Sequence, residues 1–419
     1  MSETANVEIS TPEGEQSDRA APASRLRRLR LRTHLASVTE GQRSAPAAPT
    51  SRLGRWRVRL AIFACTSWPV FVVLHRLLSN RFYWWGPFDV VPPLTFALVP
   101  LVLTAVAQLA PRVRWRLTAA PVLALLLGFS LSGLNLSTLW YTPPSAPPDA
   151  IKVVTWNTQY WDQDLQPGGP HTTDDFYEFL RDLKADVYML QEYAHVDMTR
   201  TLWAQARSVD QMDRLRKEFP GYQIVIEGRN LTLSRLPVVR HSWLDTSKWL
   251  PDDLKAVPSG LRDRPLFYTS QTQRTDIRVN GKIVSFYNSH LFQPPQRMLR
   301  LQNSPEGSMF QVDRLNYEMR RASYRAIQAD VARNPNRIVL GGDLNTSPSM
   351  GIKSMIPDRL VDQSRALSSL YPASWPAGKR AWRLDWLFTT SDVAVSRYDL
   401  LDPQGLSDHR AQSITLWPR

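Results

Sequence analysis

Cysteine is nearly missing from this chain. Cys65 is the single one in 419 residues, and it sits inside an apolar run. That excludes a disulfide framework and a thiolate metal site. A chain of this length buries enough core to fold without staples, so an oxidising compartment remains open to it. Acidic residues are also short, 38 against 51 Lys and Arg, for a net charge of +13. No internal repeat is visible, which argues against repeat architectures. No small-residue cleavage site follows the first apolar run, which argues against a signal peptide.

What is present is distributed unevenly. Residues 1–58 read as a disordered, basic, cytoplasmic tail, with eleven Arg against six acidic residues up to position 59. Within it, RLRRLRLRTHL (25–35) reads either as a short amphipathic helix on an anionic membrane or as a solvated basic tail. Three apolar segments follow, at roughly 60–79, 90–110 and 117–140. Each is long enough to span about 30 Å of hydrocarbon as a helix, so residues 59–140 are expected to hold three transmembrane helices. Their prolines at 69, 92, 93, 100 and 121 are tolerable in such spans. His75 and Arg76 are expected to snorkel outward, and FYWWGPF (82–88) reads as an interfacial aromatic belt.

A strongly basic total also suits a nucleic-acid binder. Here the arginines border the apolar stretches, which favours a topology signal. Arg52, Arg55, Arg57 and Arg59 precede the first span, and Arg112, Arg114 and Arg116 lie between the second and third. The exit from the third, YTPPSAPPDA, has no Lys or Arg. The positive-inside rule then places everything after about residue 141 outside the cytoplasmic membrane. Residues 141–150 read as a short Pro-rich stalk.

From 151 to 419, strand-like and helical patterns alternate. IKVVTWNT (151–158) and ADVYMLQE (185–192) read as buried strands. DDFYEFLRDLK (174–184) reads as a helix capped by Thr172 or Thr173, and 312–333 as a long amphipathic helix running into RIVLGGDLN. Polar residues of one chemical kind close several strands: Asn157, Gln191-Glu192, Asn288-Ser289-His290 and Asp343-Leu344-Asn345. Asp385 lies in RLDWLF, and Ser407-Asp408-His409 comes near the end. Singly, each is a turn or cap residue. Together they form a set of carboxylates, amides and imidazoles suited to a hard cation, Mg²⁺ or Mn²⁺, and an anionic substrate. Asp343 and Asn345 would point the same way if strand geometry persists through them.

These motifs, TWNT, LQE, LSRLP, NSHL, GGDLN, LDWLF and SDHR, occur in the order that resembles the endonuclease/exonuclease/phosphatase superfamily, the DNase I-like phosphoesterases. The resemblance covers about 151–417 and excludes the apolar segments. It implies a four-layered α/β sandwich, two packed β-sheets flanked by helices. It also implies roles. Glu192 would be the main metal ligand with Asn157 beside it, and Asp408 would contact metal or align His409. Asp343 would orient or deprotonate the attacking water, and Asn345 would donate to a phosphoryl oxygen. His409 would bind phosphate or act as acid/base with Asp385 fixing its tautomer. His290 would contact the scissile phosphate or protonate the leaving group. Arg229 departs from the family pattern and reads either as a contact to an anionic substrate or, the favoured reading, as a solvated loop arginine.

The substrate is expected to be a phosphate ester, lipid-linked or nucleic acid. The outward-facing, multi-pass placement favours lipid-linked or envelope phosphates. An extracytoplasmic endo- or exonuclease is the alternative. An idle binding scaffold would show as loss of Glu192, Asp343 or His409, and all three are present. Trp243 and Trp249 in 242–254, and Met298, Leu299 and Leu301 in 292–310, read either as a membrane-facing lip or as ordinary loop packing.

Overall fold

The computed structural model describes residues 52–108, 114–161, 170–195, 207–294 and 309–419. The basic 25–35 segment, Arg112 and most of the 292–310 lip lie outside the described residues.

The apolar part consists of α1 (Arg52–Leu78), α2 (Gly86–Asp89), α3 (Thr95–Ala107) and α4 (Arg114–Gly128). Among the described residues, two stretches are long and apolar enough to cross a membrane, Gly54–Leu78 and Arg114–Leu131, and only 22% of each apolar window is buried. The expectation of three full spans is corrected at the middle one. α3 has 13 residues, which rise about 20 Å, less than the roughly 30 Å needed. The cause is the Pro92-Pro93 pair, which cannot sit inside a helix. Instead their carbonyls accept from Thr95 N and Phe96 N, each at 3.0 Å, and the helix starts after them. The third segment also stops short of residue 140. It leaves the α-helix at Gly128, and Gly133 turns the chain at φ +74°.

His75 does not snorkel. It is fully buried, with Nε2 2.8 Å from the Ser349 carbonyl oxygen. Trp85 Nε1 donates to its Nδ1 at 3.2 Å, so the ring proton is on Nε2 and is donated to Ser349. Arg76 bonds Leu127 O and Ser130 Oγ. The aromatic stretch divides, with Phe82, Trp84 and Phe88 exposed and Trp85 buried.

The rest of the described chain builds two six-stranded mixed sheets. The first uses β1 (Ile151–Asn157), β2 (Val187–Gln191), β3 (Gln223–Glu227), β4 (Asn230–Ser234), β11 (Val393–Leu401) and β12 (Ala411–Pro418), in the order β11-β12-β1-β2-β4-β3. The second uses β5 (Val238–Asp245), β6 (Ser270–Val279), β7 (Lys282–His290), β8 (Arg337–Asp343), β9 (Val361–Asp362) and β10 (Asp385–Thr389), in the order β5-β6-β7-β8-β10-β9. β1–β2 and β7–β8 are parallel pairs, and the remaining pairs are antiparallel. The helices here are α5 (Thr173–Asp182), α6 (Met212–Glu218), α7 (Leu266–Thr269) and α8 (Met309–Arg333).

The central strands are apolar on both sides because both sides are covered. Val153, Met189, Ile277, Phe286, Val339 and Leu387 fill the space between the sheets. Trp156, Phe176, Leu180 and Leu190 pack the first sheet against α5. Tyr324, Ile327, Leu340 and Trp386 pack the second against α8. The result is helix, sheet, sheet, helix. α5 starts on a capping box, in which Thr172 Oγ1 accepts from Asp175 N at 3.3 Å and the Asp175 carboxylate accepts from Thr172 N at 2.8 Å.

Residues 141–150 form neither helix nor strand. They are fastened to the sandwich at both ends. Tyr141 packs against the intersheet core under Arg365, and the Asp149 carboxylate accepts from Asn280 Nδ2 at 2.8 Å.

Candidate active site

Strand register gathers the polar strand ends. Asn157 is paired with Gln191, and Asp343 lies between His290 on one side and Asp385 on the other. The C-terminal ends of both parallel pairs therefore meet. Asn157 joins the two sheets: its Nδ2 donates to Glu192 Oε1 at 3.1 Å and to Asp343 Oδ2 at 3.0 Å. The final segment is stitched to β1. Ser407 Oγ donates to Asn157 O, His409 N donates to Ser407 Oγ, and Trp156 Nε1 donates to His409 O.

Around this junction Glu192, His290, Asp343, Asn345, Asp385 and His409 are all buried. His409 Nδ1 donates to Asp385 Oδ2 at 2.9 Å, and its Nε2 is 3.6 Å from Asp343 Oδ2. Asp385 is held in turn, since Ser374 Oγ accepts from its backbone N–H and from that of Leu384. His290 Nε2 stands 3.5 Å from Glu192 and 3.7 Å from Asp343.

Burial acts against every charge here. It raises Glu192 above the usual carboxylate range and pushes Asp343 up to about 7. It also drives His290 well below the usual histidine range, with the charges of Arg229 and His409 adding to the effect. For His409, burial is outweighed by Asp385 and Asp343, which raise it to about 10. His409 is therefore protonated at neutral pH, and His290 is a neutral imidazole.

One expectation changes. β8 ends at Asp343, and Asn345 is left-handed at φ 47°, so the alternating strand geometry does not persist. The two side chains still meet, because Asn345 Nδ2 donates to Asp343 Oδ2 at 3.1 Å and to Leu291 O at 2.8 Å, while Asn345 N donates to Asp343 Oδ1. Both amide protons of Asn345 are therefore engaged, one of them by Asp343. Asp408 lies at the rim, its Oδ2 accepting from Trp375 Nε1 at 2.7 Å. Asn157 turns its NH₂ to the carboxylates, and its oxygen accepts from Gln159 N. The acidic and imidazole groups close enough to share an ion, among the described residues, are Asp343, Asp385 and His409. The ligands expected from the sequence, Asn157, Glu192 and Asp408, stand beside that group. The 2.9 Å hydrogen bond inside the group marks it as a dyad facing a carboxylate more than a cage.

Several participants were not legible from motifs. Arg320, buried in the middle of α8, donates to Phe292 O at 2.6 Å, Asn345 O at 2.8 Å and Thr346 Oγ1 at 2.9 Å. Arg229 is half-buried beside Glu192 and donates to Gln271 Oε1 at 3.2 Å, so it is not a solvated loop arginine. Gln191 and Asn288 bond each other at 2.7 Å across the sheets and are structural. Gly342 is forced by geometry. Its φ is +133°, and a Cβ there would lie 2.0 Å from Ser289 O.

No match is found among the curated proteins. Solved structures resemble part of the chain. A humanized Danio rerio TDP2 is 14% identical with a TM-score of 0.43, covering 64% of this chain and 99% of that one. The mannosyl-6-phosphatase of Bacteroides thetaiotaomicron is 16% identical with a TM-score of 0.43, covering 64% and 99%. An endonuclease/exonuclease/phosphatase from Beutenbergia cavernae is 18% identical with a TM-score of 0.42, covering 64% and 72%. The model of the Endonuclease/Exonuclease/phosphatase family matches residues 154–409, most of the sandwich, and the chain belongs to that family.

Proposed function

We propose that this protein is a membrane-held, divalent-metal-dependent phosphoesterase that hydrolyses lipid-linked or envelope phosphates on the extracytoplasmic face. The observation that carries the chemistry is the hydrogen-bonded run from Glu192 through Asn157 and Asp343 to Asn345, with the His409–Asp385 dyad beside it. The membrane placement rests on the exposed apolar surface of α1 and α4 and on the arginine distribution.

The donor set suits Mg²⁺ or Mn²⁺. Glu192, Asp343 and Asp385 are buried oxygen donors, and burial disfavours the charge of Glu192 and Asp343. A hard divalent cation held by Glu192 and Asp343 would restore it. Bound there, it would supply Lewis-acid stabilisation of the phosphoryl oxygens. Asp343 accepts the proton of the attacking water as the water oxygen bonds to phosphorus. His409 faces the same space and carries a proton that can hydrogen-bond the phosphoryl group or pass to the leaving oxygen as its bond to phosphorus breaks.

The test uses the full-length chain in vesicles, with Mn²⁺ or Mg²⁺, against a polyprenyl pyrophosphate, a phospholipid diester and plasmid DNA. Phosphate release from a lipid, abolished by chelator and by His409→Ala, is expected. DNA cleavage with inert lipids would overturn the lipid reading and make the protein an anchored nuclease.

Two further outcomes follow from the geometry. Arg320→Lys is expected to fold yet lower kcat by about 10²-fold, because one ammonium cannot span three acceptors and Asn345 is released. Steady-state kinetics beside a thermal melt check it. Asp385→Asn removes the first charge that raises His409. His409 acts protonated, so activity is present below its pKa and lost as pH rises through it. The alkaline limb of kcat/KM is therefore expected to move to lower pH, and an unmoved limb would remove His409 from the acid role.

A further inference from the structure

The family match ends at the sandwich, and the apolar helices lie outside it. Yet they do not merely precede the catalytic part. The last turn of α1 reaches the loop that follows Asp343. His75 Nε2 donates to Ser349 O at 2.8 Å. Gly351 N donates to Ser79 Oγ at 2.7 Å, and Ser79 Oγ donates to Asp89 Oδ1 at 2.6 Å. The approach is so close that a Cβ on Gly351 would lie 2.6 Å from Ser79 O. From the same turn, Asn80 O accepts from Tyr317 OH at 3.0 Å and from Arg321 Nη1 at 2.8 Å. Those residues flank Arg320, which holds Asn345 O and Thr346.

We propose that the end of α1 is a positioning element of the active site: His75 and Ser79, through Ser349 and Gly351, hold the 344–351 loop in the arc that sets Asn345 against Asp343. The proposal rests on reading the site as a phosphoesterase centre. The loop is gripped from two sides, by Arg320 of α8 and by α1. Asn345 needs such a grip, because a left-handed non-glycine conformation persists only where its surroundings over-determine it. Its neighbours support the same arc, with Trp386 Nε1 donating to Thr346 O at 2.7 Å. The span from Asn345 to Ser349 is four residues, at most about 14 Å of chain. The apolar helix end and the water-activating carboxylate are thus neighbours. A substrate phosphate at the membrane surface would lie within reach of the site, and a lipid-linked phosphate fits that placement.

The tautomer gives the test its edge. Trp85 occupies His75 Nδ1, so only Nε2–H reaches Ser349. His75→Leu removes the donor at similar volume, and His75→Gln restores an N–H at about the same reach. Asn135→Ala is the control. Asn135 Nδ2 donates to Ser364 O, Leu367 O and Ser369 O, so this variant weakens the same helix-to-sandwich attachment without touching 344–351. The full-length chain in detergent is assayed with Mn²⁺ and bis(p-nitrophenyl) phosphate, and amide exchange of peptides covering 344–351 is followed by mass spectrometry.

The expected result is a fall in kcat of about tenfold or more in His75→Leu with KM within about twofold. Exchange over 344–351 should rise, His75→Gln should reverse both effects, and Asn135→Ala should lower the melting temperature with kcat retained. Unchanged exchange over 344–351 in His75→Leu would overturn the proposal, as would an equal loss of kcat in Asn135→Ala. Should the wild-type chain leave the probe intact in either metal, the lipid substrates named above decide the phosphoesterase reading, and the exchange data still decide whether α1 holds the loop.

Discussion

Asp343→Asn in the full-length chain is expected to lower kcat by about 10³-fold or more while the protein stays folded. The substitution keeps the shape of the side chain and removes its charge and its ability to take a proton. It also reverses hydrogen bonds. Asp343 Oδ2 accepts from Asn157 Nδ2 and Asn345 Nδ2, and Oδ1 accepts from Asn345 N. An amide NH₂ in either place faces a donor, so at least one contact turns repulsive. The structural penalty is about 1–3 kcal/mol, offset in part because an uncharged group no longer has to be buried. The catalytic loss is larger and has three sources: no acceptor for the water proton, one fewer carboxylate for a cation, and a His409 that loses one of the three charges raising it. Single-turnover phosphate release beside a near-ultraviolet spectrum separates chemistry from folding. Residual activity within about tenfold of wild type would place the reacting water elsewhere.

Much of that centre could be read in the sequence, and the reason is topological. A buried strand is a run of apolar residues, so the polar residue that closes it stands out. Asn157, His290 and Asp343 are such closing residues, and parallel pairing puts their ends together. What could not be read depends on contacts between distant segments. Arg320 looks like any polar residue on an amphipathic helix, and only the fold shows it donating to Asn345. Arg229 looks like a loop residue until the sheets bury it beside Glu192. Asn345 has strand spacing from Asp343, but the strand ends two residues earlier than that spacing assumes. His75 looked like a snorkelling side chain because hydropathy treats a span as surrounded by lipid. It is surrounded instead by Trp85 and the Ser349 carbonyl. The helix bounds moved for a local reason: Pro92-Pro93 and the turn at Gly133 set them more firmly than average hydropathy does.

Gly342→Ala is expected to be the most damaging small substitution in the sandwich. The second glycine of the GGD motif has φ +133°, a region that side chains rarely enter, and its missing Cβ would lie 2.0 Å from Ser289 O and 3.0 Å from Ser289 N and C. Backbone strain of this kind costs about 1–3 kcal/mol. The clash adds a comparable overpacking term, because Ser289 is backbone in the neighbouring strand and cannot rotate away. A loss of about 4 kcal/mol or more is expected, which for a sandwich of this size lowers the melting temperature by about 10 °C or more. Gly281→Ala separates the two causes. Gly281 is also left-handed, at φ +76°, but nothing lies within 4 Å of its Cβ position, so it carries strain alone, about 1 kcal/mol. Melting of the two variants followed by tryptophan fluorescence gives the difference directly. Equal shifts would mean that β7 and β8 part easily at Ser289. Since those strands carry His290 and Asp343 side by side, an easy parting would leave the spacing between imidazole and carboxylate free to vary, and the pre-set geometry attributed to this centre would have to come from bound metal and substrate.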